Sequence, residues 1–162
     1  MLAFNDGRGE VLVRHAELED AEAVRACLAM AFAVYRTQYT QGAYADTVPS
    51  AELIRVRLSE MQVFIAVREG NAVGTIALAT IGMEAHLRGM AVTPQWQGTQ
   101  VASKLLETAV AEARRSGCRF VTLDTTEPLQ RAIHFYRRHG FEPTGRVTDF
   151  LGMRLHQYTK TL

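Results

Sequence analysis

Apolar positions along the chain alternate between two periods, and the switch points mark the elements. Val11 to Val13 is a short β-branched run, and from Leu18 the spacing becomes helical. Ala21, Val24, Leu28, Ala31 and Phe32 recur at intervals of three and four, with Glu19, Asp20 and Glu22 in the first turn, predicting a helix over 18–34. Polar and aromatic residues from Tyr35 to Pro49 read as a loop. Pro49 and Ser50 then open a second amphipathic helix whose stripe is Leu53, Val56 and Leu58. QVFIAVR, the turn EGN and AVGTIALATI predict an antiparallel hairpin, and AHLRGMAV is a further extended run ending at Thr93 and Pro94. Gly98 to Arg115 carries Val101, Leu105, Leu106, Ala109 and Val110 on one face, and Gly117 stops this helix. FVTLDT is a strand, PLQRAIHFYRRHG a helix with Pro first and Gly last, and closing strands surround Gly152.

The resulting order is βααββββαβαββ, or the same with one strand fewer. It describes a single α+β domain over 1–162 with a flexible start at 1–9. The strand–helix–strand unit around Gly98 to FVTLDT is a right-handed crossover that sets two strands parallel, so the sheet is mixed. About seven strands, mostly antiparallel and flanked by helices, are expected.

Composition narrows the function classes. The 162 residues are 48% hydrophobic and 22% charged, a soluble globular balance, and a chain of this size buries about 70% of its unfolded surface in one domain. Lys plus Arg number 18 against 17 Asp plus Glu, without a block of either sign, which disfavours nucleic acid and anionic lipid as partners. Cys27 and Cys118 form no metal-ligand spacing and no disulfide framework, pointing to a reducing cytoplasm. No run approaches the roughly 20 apolar residues of a membrane helix, and the polar MLAFNDGRGE is unlike a signal peptide.

Candidate chemistry begins at MAVTPQWQGTQVASKLL, where a strand end, a Pro turn and small residues lead into a helix. The first N–H groups of such a helix have no internal acceptor and its dipole is positive there. Gly98, Thr99, Ala102 and Ser103 leave room for a phosphate. On local sequence alone, Gly98 could equally serve only a tight turn. In AIHFYRRHGF, Tyr136 follows Ala132 by four residues; it is either a core ring or a cleft-edge phenol whose hydroxyl needs a partner.

Taken together, these pieces resemble the GNAT superfamily of acyl-CoA-dependent N-acyltransferases. The resemblance rests on Met90, Ala91 and Val92 at a strand end, then Gln95, Gly98 and Gln100, then Ala132, Tyr136, Gly140 and Phe141. The opening VRHAELEDAEAV is similar to that family's first strand and helix. The likeness covers nearly the whole chain and departs at two places. Gln100 stands where a Gly or Ala is usual, sterically allowed if its backbone is already helical. Leu129 replaces an Asn that contacts the pantetheine arm in many members.

The resemblance implies acetyl-CoA as co-substrate without a metal, and transfer of an acetyl or short acyl group to a primary amine of a small molecule or peptide. It further implies cofactor contacts from Met90, Ala91, Val92, Gln97, Gly98, Thr99, Gln100, Val101, Ala102 and Ser103. Tyr136 would be the proton donor to the leaving thiolate, and the Met90 N–H a donor to the thioester oxygen. The amine must lose a proton, for which Glu84, His86 and Asp124 are the candidates. Each also has a bland reading, Glu84 as a solvated turn residue, His86 as a surface strand residue and Asp124 as a helix cap. The acceptor is implied to sit among Tyr35, Tyr39 and Tyr44 and the last strands. There Asp46 or Asp149 could hold an amine, and Arg36, Arg146 or Arg154 an anion. A homodimer fits the family's habits. The alternative from another class is a non-catalytic acyl-CoA-binding or regulatory module on the same fold. A phosphate-binding domain for some other nucleotide is disfavoured, since no GxxxxGK[ST] occurs and the strand order before Gly98 is wrong for a doubly wound fold.

Overall fold

The computed structural model describes all 162 residues. Its strands are β1 (Leu2–Asn5), β2 (Glu10–His15), β3 (Gln62–Arg68), β4 (Asn71–Ile81), β5 (Glu84–Val92), β6 (Phe120–Thr126), β7 (Glu142–Phe150) and β8 (Met153–Thr161). Its helices are α1 (Ala21–Phe32), α2 (Gln41–Thr47), α3 (Ala51–Glu60), α4 (Val101–Arg115) and α5 (Gln130–Arg138). One sheet runs β1-β2-β3-β4-β5-β6-β8-β7, antiparallel throughout except between β5 and β6. The fold is thus the expected mixed α+β sheet flanked by helices, with differences in detail. Three strands, not four, separate α3 from α4, and β1 forms within the segment expected to be flexible, pairing Leu2 through Asn5 with β2.

Helix α2 lies inside the expected loop. It starts because the Thr40 hydroxyl accepts the Ala43 N–H at 3.2 Å, a cap that needs no long apolar stripe. Helix α3 is capped by Ser50 as expected, but its buried face differs. Ile54 is buried and Leu58 packs against the core, while Leu53 and Val56 are exposed. The helix is rotated relative to the expected stripe because α3 rests on α1 and β3 through that other side.

The sheet is covered on both faces, which explains why β3 and β4 read as continuous apolar runs rather than alternating ones. On one face α4 and α5 cover Phe64, Ile76, Leu78, Leu87, Val121 and Leu123. On the other, α1 and α3 cover Val63, Ile65, Ala77 and Ala91. Helix α4 sits directly on β4 at Gly74, where an added Cβ would stand 2.7 Å from Leu105 Cδ1, so that approach demands glycine. Leu105 is fully buried, and its truncation to Ala is expected to cost about 2–5 kcal/mol.

A second fixture ties the amino-terminal hairpin to the start of the β5–α4 connection. Trp96 is buried and in contact with two guanidinium groups, Arg68 at 4.8 Å and Arg8 at 5.8 Å from its ring centroid, and Arg8 Nη1 donates to the Gln95 carbonyl at 2.9 Å. No helix of the protein is long and apolar enough to cross a membrane.

Candidate active site

The site exists because β5 and β6 part company. Their parallel pairing covers only Glu84 to Leu87 against Phe120 to Leu123. Beyond it, β5 continues to Val92 beside β4 and β6 continues to Thr126 beside β8. The divergence starts at a bulge. Opposite β4, the register jumps between Arg88 and Ala91, and Gly89 takes φ +57°, the left-handed region that glycine tolerates. A bulge bends its strand and strengthens the local twist, which turns β5 away from β6. The gap opens a cavity of about 720 Å³ reaching from α4 on one side to α2 on the other.

One wall contains most of the residues expected to touch a cofactor. Gly98 has φ +78°, and a Cβ added there would meet nothing within 4 Å. Glycine is therefore required by the backbone, and the space in front of it is open. Thr99 Oγ1 donates to the Trp96 carbonyl at 2.6 Å and accepts the Val101 N–H at 3.3 Å. The N–H groups of Ala102 and Ser103 are left at the free end of α4. Gln97 Nε2 braces the strand end by donating to the Val92 carbonyl at 3.0 Å, and Arg131 holds Gln97 Oε1 at 3.3 Å. Met90, Ala91, Val92, Gln97, Gly98, Thr99, Ala102 and Ser103 all line the cavity; Gln100 and Val101 do not. Val101 is fully buried beneath α4, and Gln100 has helical φ −75° and ψ −6°, so its side chain enters no forbidden region.

Tyr136 lies deeper on the same side. Its ring is packed edge-on against Phe141, and its hydroxyl donates to Met90 Sδ at 3.2 Å. Burial pushes this phenol well above its ordinary range, so it stays protonated and is a hydrogen-bond donor throughout the neutral region. Thr125, on the part of β6 beyond its pairing with β5, lines the cavity, and its hydroxyl is buried without a hydrogen-bond partner.

The opposite wall belongs to a polar stripe on the sheet face that α1 and α3 leave uncovered, of which His86, Arg88 and Asp124 line the cavity while Glu84 and Thr122 lie behind them. Period-two alternation and the β5–β6 register place Glu84, His86 and Arg88 beside Thr122 and Asp124 on that face. The stripe is connected. The Thr122 hydroxyl donates to Glu84 Oε1, so its oxygen accepts from His86 Nδ1 at 2.7 Å. A hydroxyl has one proton, so Nδ1 must carry its own and the neutral ring keeps its lone pair on Nε2. Nε2 stands 3.4 Å from Asp124 Oδ2, and both side chains are about 30% exposed to the cavity. The three base candidates are thus brought together around Thr122, a residue the sequence did not flag. Asp124 faces His86 and caps no helix, since α5 starts after Leu129 without a side-chain cap.

The expected acceptor residues divide. Tyr35 and Tyr39 line the cavity, with Tyr39 hydrogen-bonded to Thr126 Oγ1 at 2.6 Å; burial, only partly offset by that bond, raises its phenol. Tyr44 stands behind Tyr39 beneath the Arg36 guanidinium and does not reach the cavity. Asp46 does reach it, but is taken up by Arg88 at 3.0 Å. Arg36, Arg146, Asp149 and Arg154 lie outside, and the cationic side chains that do face this end are Arg57 and Arg88. Arg88 could have been found from its two-residue spacing to His86. Nothing local in α3 marks Arg57.

A mixed sheet that opens between its two parallel strands thus frames one cleft, with a free helix N-terminus on one wall and connected titratable groups on the other. Residues 21–141 match the Acetyltransferase (GNAT) family model, and the chain belongs to that family. Among curated relatives it is 41% identical over 64 residues to an aminoglycoside N(6')-acetyltransferase type 1 of Stenotrophomonas maltophilia, covering 40% of this chain and 42% of that one. It is 33% identical over 88 residues to an IAA acetyltransferase of Azospirillum brasilense, covering 53% and 58% of the two chains. The chain thus spans about half the length of the curated relatives it matches. In fold it is similar to the PaiA N-acetyltransferase of Thermoplasma acidophilum, solved in complex with coenzyme A, with TM-score 0.79, 18% identity and coverage of 94% and 99%.

Proposed function

We propose that this protein transfers an acetyl or short acyl group from acetyl-CoA to a primary amine, with both substrates bound in the one cleft. The observation that carries the reading is the divided cavity, which sets the open Gly98 turn and the Tyr136 hydroxyl on one side of the β5–β6 gap and the His86–Asp124 pair on the other. The wall fits an acyl-CoA. The glycine turn and the α4 N–H groups suit a pyrophosphate, and the edge of β5 from Met90 to Val92 that β6 leaves free suits the amide-bearing arm.

Acetyl-CoA supplies an activated acyl group on a thiol leaving group. His86 takes the proton of the attacking amine at Nε2, the nitrogen left free by the Thr122 contact. Asp124 holds the ammonium form beforehand and faces the imidazolium afterwards. Thr122 and Glu84 fix the ring and its tautomer, acting as positioning residues. The Met90 N–H is the donor to the acyl oxygen, and Tyr136 hydrogen-bonds the departing sulfur; the second proton, released by the nitrogen as the amide forms, reaches the thiolate through Tyr136, which ends protonated. With its phenol raised by burial, Tyr136 acts chiefly through the hydrogen bond, with proton transfer late.

The test is release of free CoA from acetyl-CoA across a panel of amines, in wild type and Tyr136→Phe. Turnover of the variant is expected to fall by about 10²- to 10⁴-fold with CoA affinity retained, and by less when the leaving thiol is more acidic. Wild-type turnover in Tyr136→Phe removes that residue from the chemistry. Tight acyl-CoA binding by wild type, without amine-dependent release on any amine, favours the non-catalytic module instead.

A further inference from the structure

The part of the cleft lined by α2, α3 and Arg88 has a charge pattern that the transfer reaction does not use. Arg88 Nη2 contacts both carboxylate oxygens of Asp46, at 3.0 and 3.3 Å, and Arg57 Nη2 donates to the Asp46 backbone carbonyl at 2.9 Å. Arg57 is 3.9 Å from Asp46 Oδ1, with its side chain 16% exposed. Two guanidinium groups therefore share a single carboxylate. The imbalance is felt: burial and then the neighbouring Arg88 lower the affinity of Arg57 for its proton, and Asp46 offsets them only in part. Each guanidinium has five N–H donors in a planar fork, so most of the donors of this pair are not used by Asp46. Both arginines line the same cavity as His86 and Asp124.

The sheet register fixes where this pair lies relative to the base. His86 is opposite Ala79 and Arg88 opposite Ala77, so both project from the same face of β5. Two residues of strand separate them by about 7 Å. Side chains of Phe32, Phe150 and Leu155 line the cavity nearby as apolar wall. The cleft thus presents a site for an amine and, two residues further along the same face of β5, a site for an anion, with apolar residues in the shared lining.

Resting on the transferase reading above, we propose that the acceptor is an amino carboxylate, whose amine faces His86 and Asp124 and whose carboxylate completes the charge balance of Arg57 and Arg88. Asp46 belongs to the anion site as the resident partner of the arginines and is not the amine ligand.

The experiment compares ω-amino carboxylates of increasing length, from glycine to 5-aminopentanoate, with the carboxamide of each, as acceptors in the CoA-release assay. Calorimetric binding of the same pairs to the protein with CoA present gives a readout independent of turnover. At the best length the carboxylate is expected to exceed its carboxamide by about 10- to 100-fold in kcat/KM and in affinity, the worth of one to two charge-assisted hydrogen bonds. In Arg88→Gln the ratio is expected to fall towards one; in Asp46→Asn, which removes the competing carboxylate, it is expected to hold or rise. Arg57→Gln repeats the Arg88 test from α3, and its thermal unfolding reports whether loss of the Asp46 carbonyl contact disturbs α2. Equal handling of carboxylate and carboxamide at every length overturns the proposal while leaving amine acetylation intact. Collapse of binding in Asp46→Asn with no effect of Arg88→Gln also overturns it, since that places the amine at Asp46. Arg88-dependent carboxylate binding without any transfer supports this site and refutes the transferase reading.

Discussion

Replacing Thr122 by Val tests whether the polar stripe is a working unit. Thr122 is 4% exposed and Val matches its shape, so packing is retained while one hydroxyl is lost. The lost groups are specific, namely the bond to Glu84 Oε1 and the acceptor of His86 Nδ1. Glu84 and His86 both reach solvent, so water replaces part of what is removed, and the cost in stability is about 1–2 kcal/mol. For a domain of this size that lowers Tm by roughly 2–8 °C. The kinetic effect comes from the ring. Without Thr122 the imidazole can rotate and can carry its proton on Nε2, which removes the lone pair from the cavity. A fall in kcat of about 10- to 100-fold is expected, bounded above by the roughly 10²- to 10⁴-fold that a general base provides. The KM for acetyl-CoA is expected to stay unchanged, and Thr122→Ser is expected to recover most of the rate. The decisive assay is a double-mutant cycle with His86→Gln. If Thr122 acts through His86, its loss costs nothing further once His86 is gone. An undiminished rate in Thr122→Val, or the same fold-loss in the His86→Gln background, would refute the argument.

Other expectations follow from single sites. Gly98→Ala meets no atom within 4 Å but must hold φ +78°, so thermal unfolding should register about 1–2 kcal/mol, with any further loss of CoA affinity, read by calorimetry, due to the ligand meeting the methyl group. Asp20 lies in a forked pair with Arg14 at 2.7 and 3.0 Å, and that hydrogen bond holds its carboxyl below the ordinary 3.8. A depressed carboxyl stabilises the fold above its unfolded value and loses that effect as pH falls through the folded one. Asp20→Asn should therefore cost about 1 kcal/mol at pH 7, discounted because Arg14 is 34% exposed, and the gap to wild type should close below about pH 4 in denaturant titrations. Cys27 has no exposed surface and burial pushes its thiol up to about 12, so iodoacetamide at pH 8 should label it in urea and leave it untouched in the native protein; rapid native labelling would show that α1 is not packed as described.

The fold was legible wherever a single element determines its own pattern. Helix α4 announces itself through Val101, Leu105, Leu106, Ala109 and Val110, all of which are buried. The chain order of the strands yields one mixed sheet because one helix crossover forces the single parallel pair. Helix α2 was not legible because its start rests on a Thr40 cap within a polar, aromatic stretch. The buried side of α3 depends on how it meets α1, which no local period encodes. For the site, Gly98 and Tyr136 stood out because backbone conformation and a helix-end motif are local properties. The partnership of Glu84, His86, Thr122 and Asp124 rests on contacts between residues 36 to 38 positions apart, made through a parallel register, and only the assembled sheet displays it. The same holds for Arg57 and Arg88, which meet across α3, α2 and β5.

The short seam between β5 and β6 has a mechanical meaning. It joins a five-strand half-sheet to a three-strand half-sheet through four residue pairs, whereas the seams on either side of it have seven each. His86 and Arg88 ride on one half, Thr122 and Asp124 on the other. The span between Arg88 and Asp124 is therefore governed by the angle at which the halves are stitched together. A substitution at Leu87 or Leu123, paired at the last stitch and buried at the cavity wall, is expected to change that angle and with it the separation of Arg88 from Asp124. In this molecule the spacing of the polar groups across the cavity is set by the sheet itself.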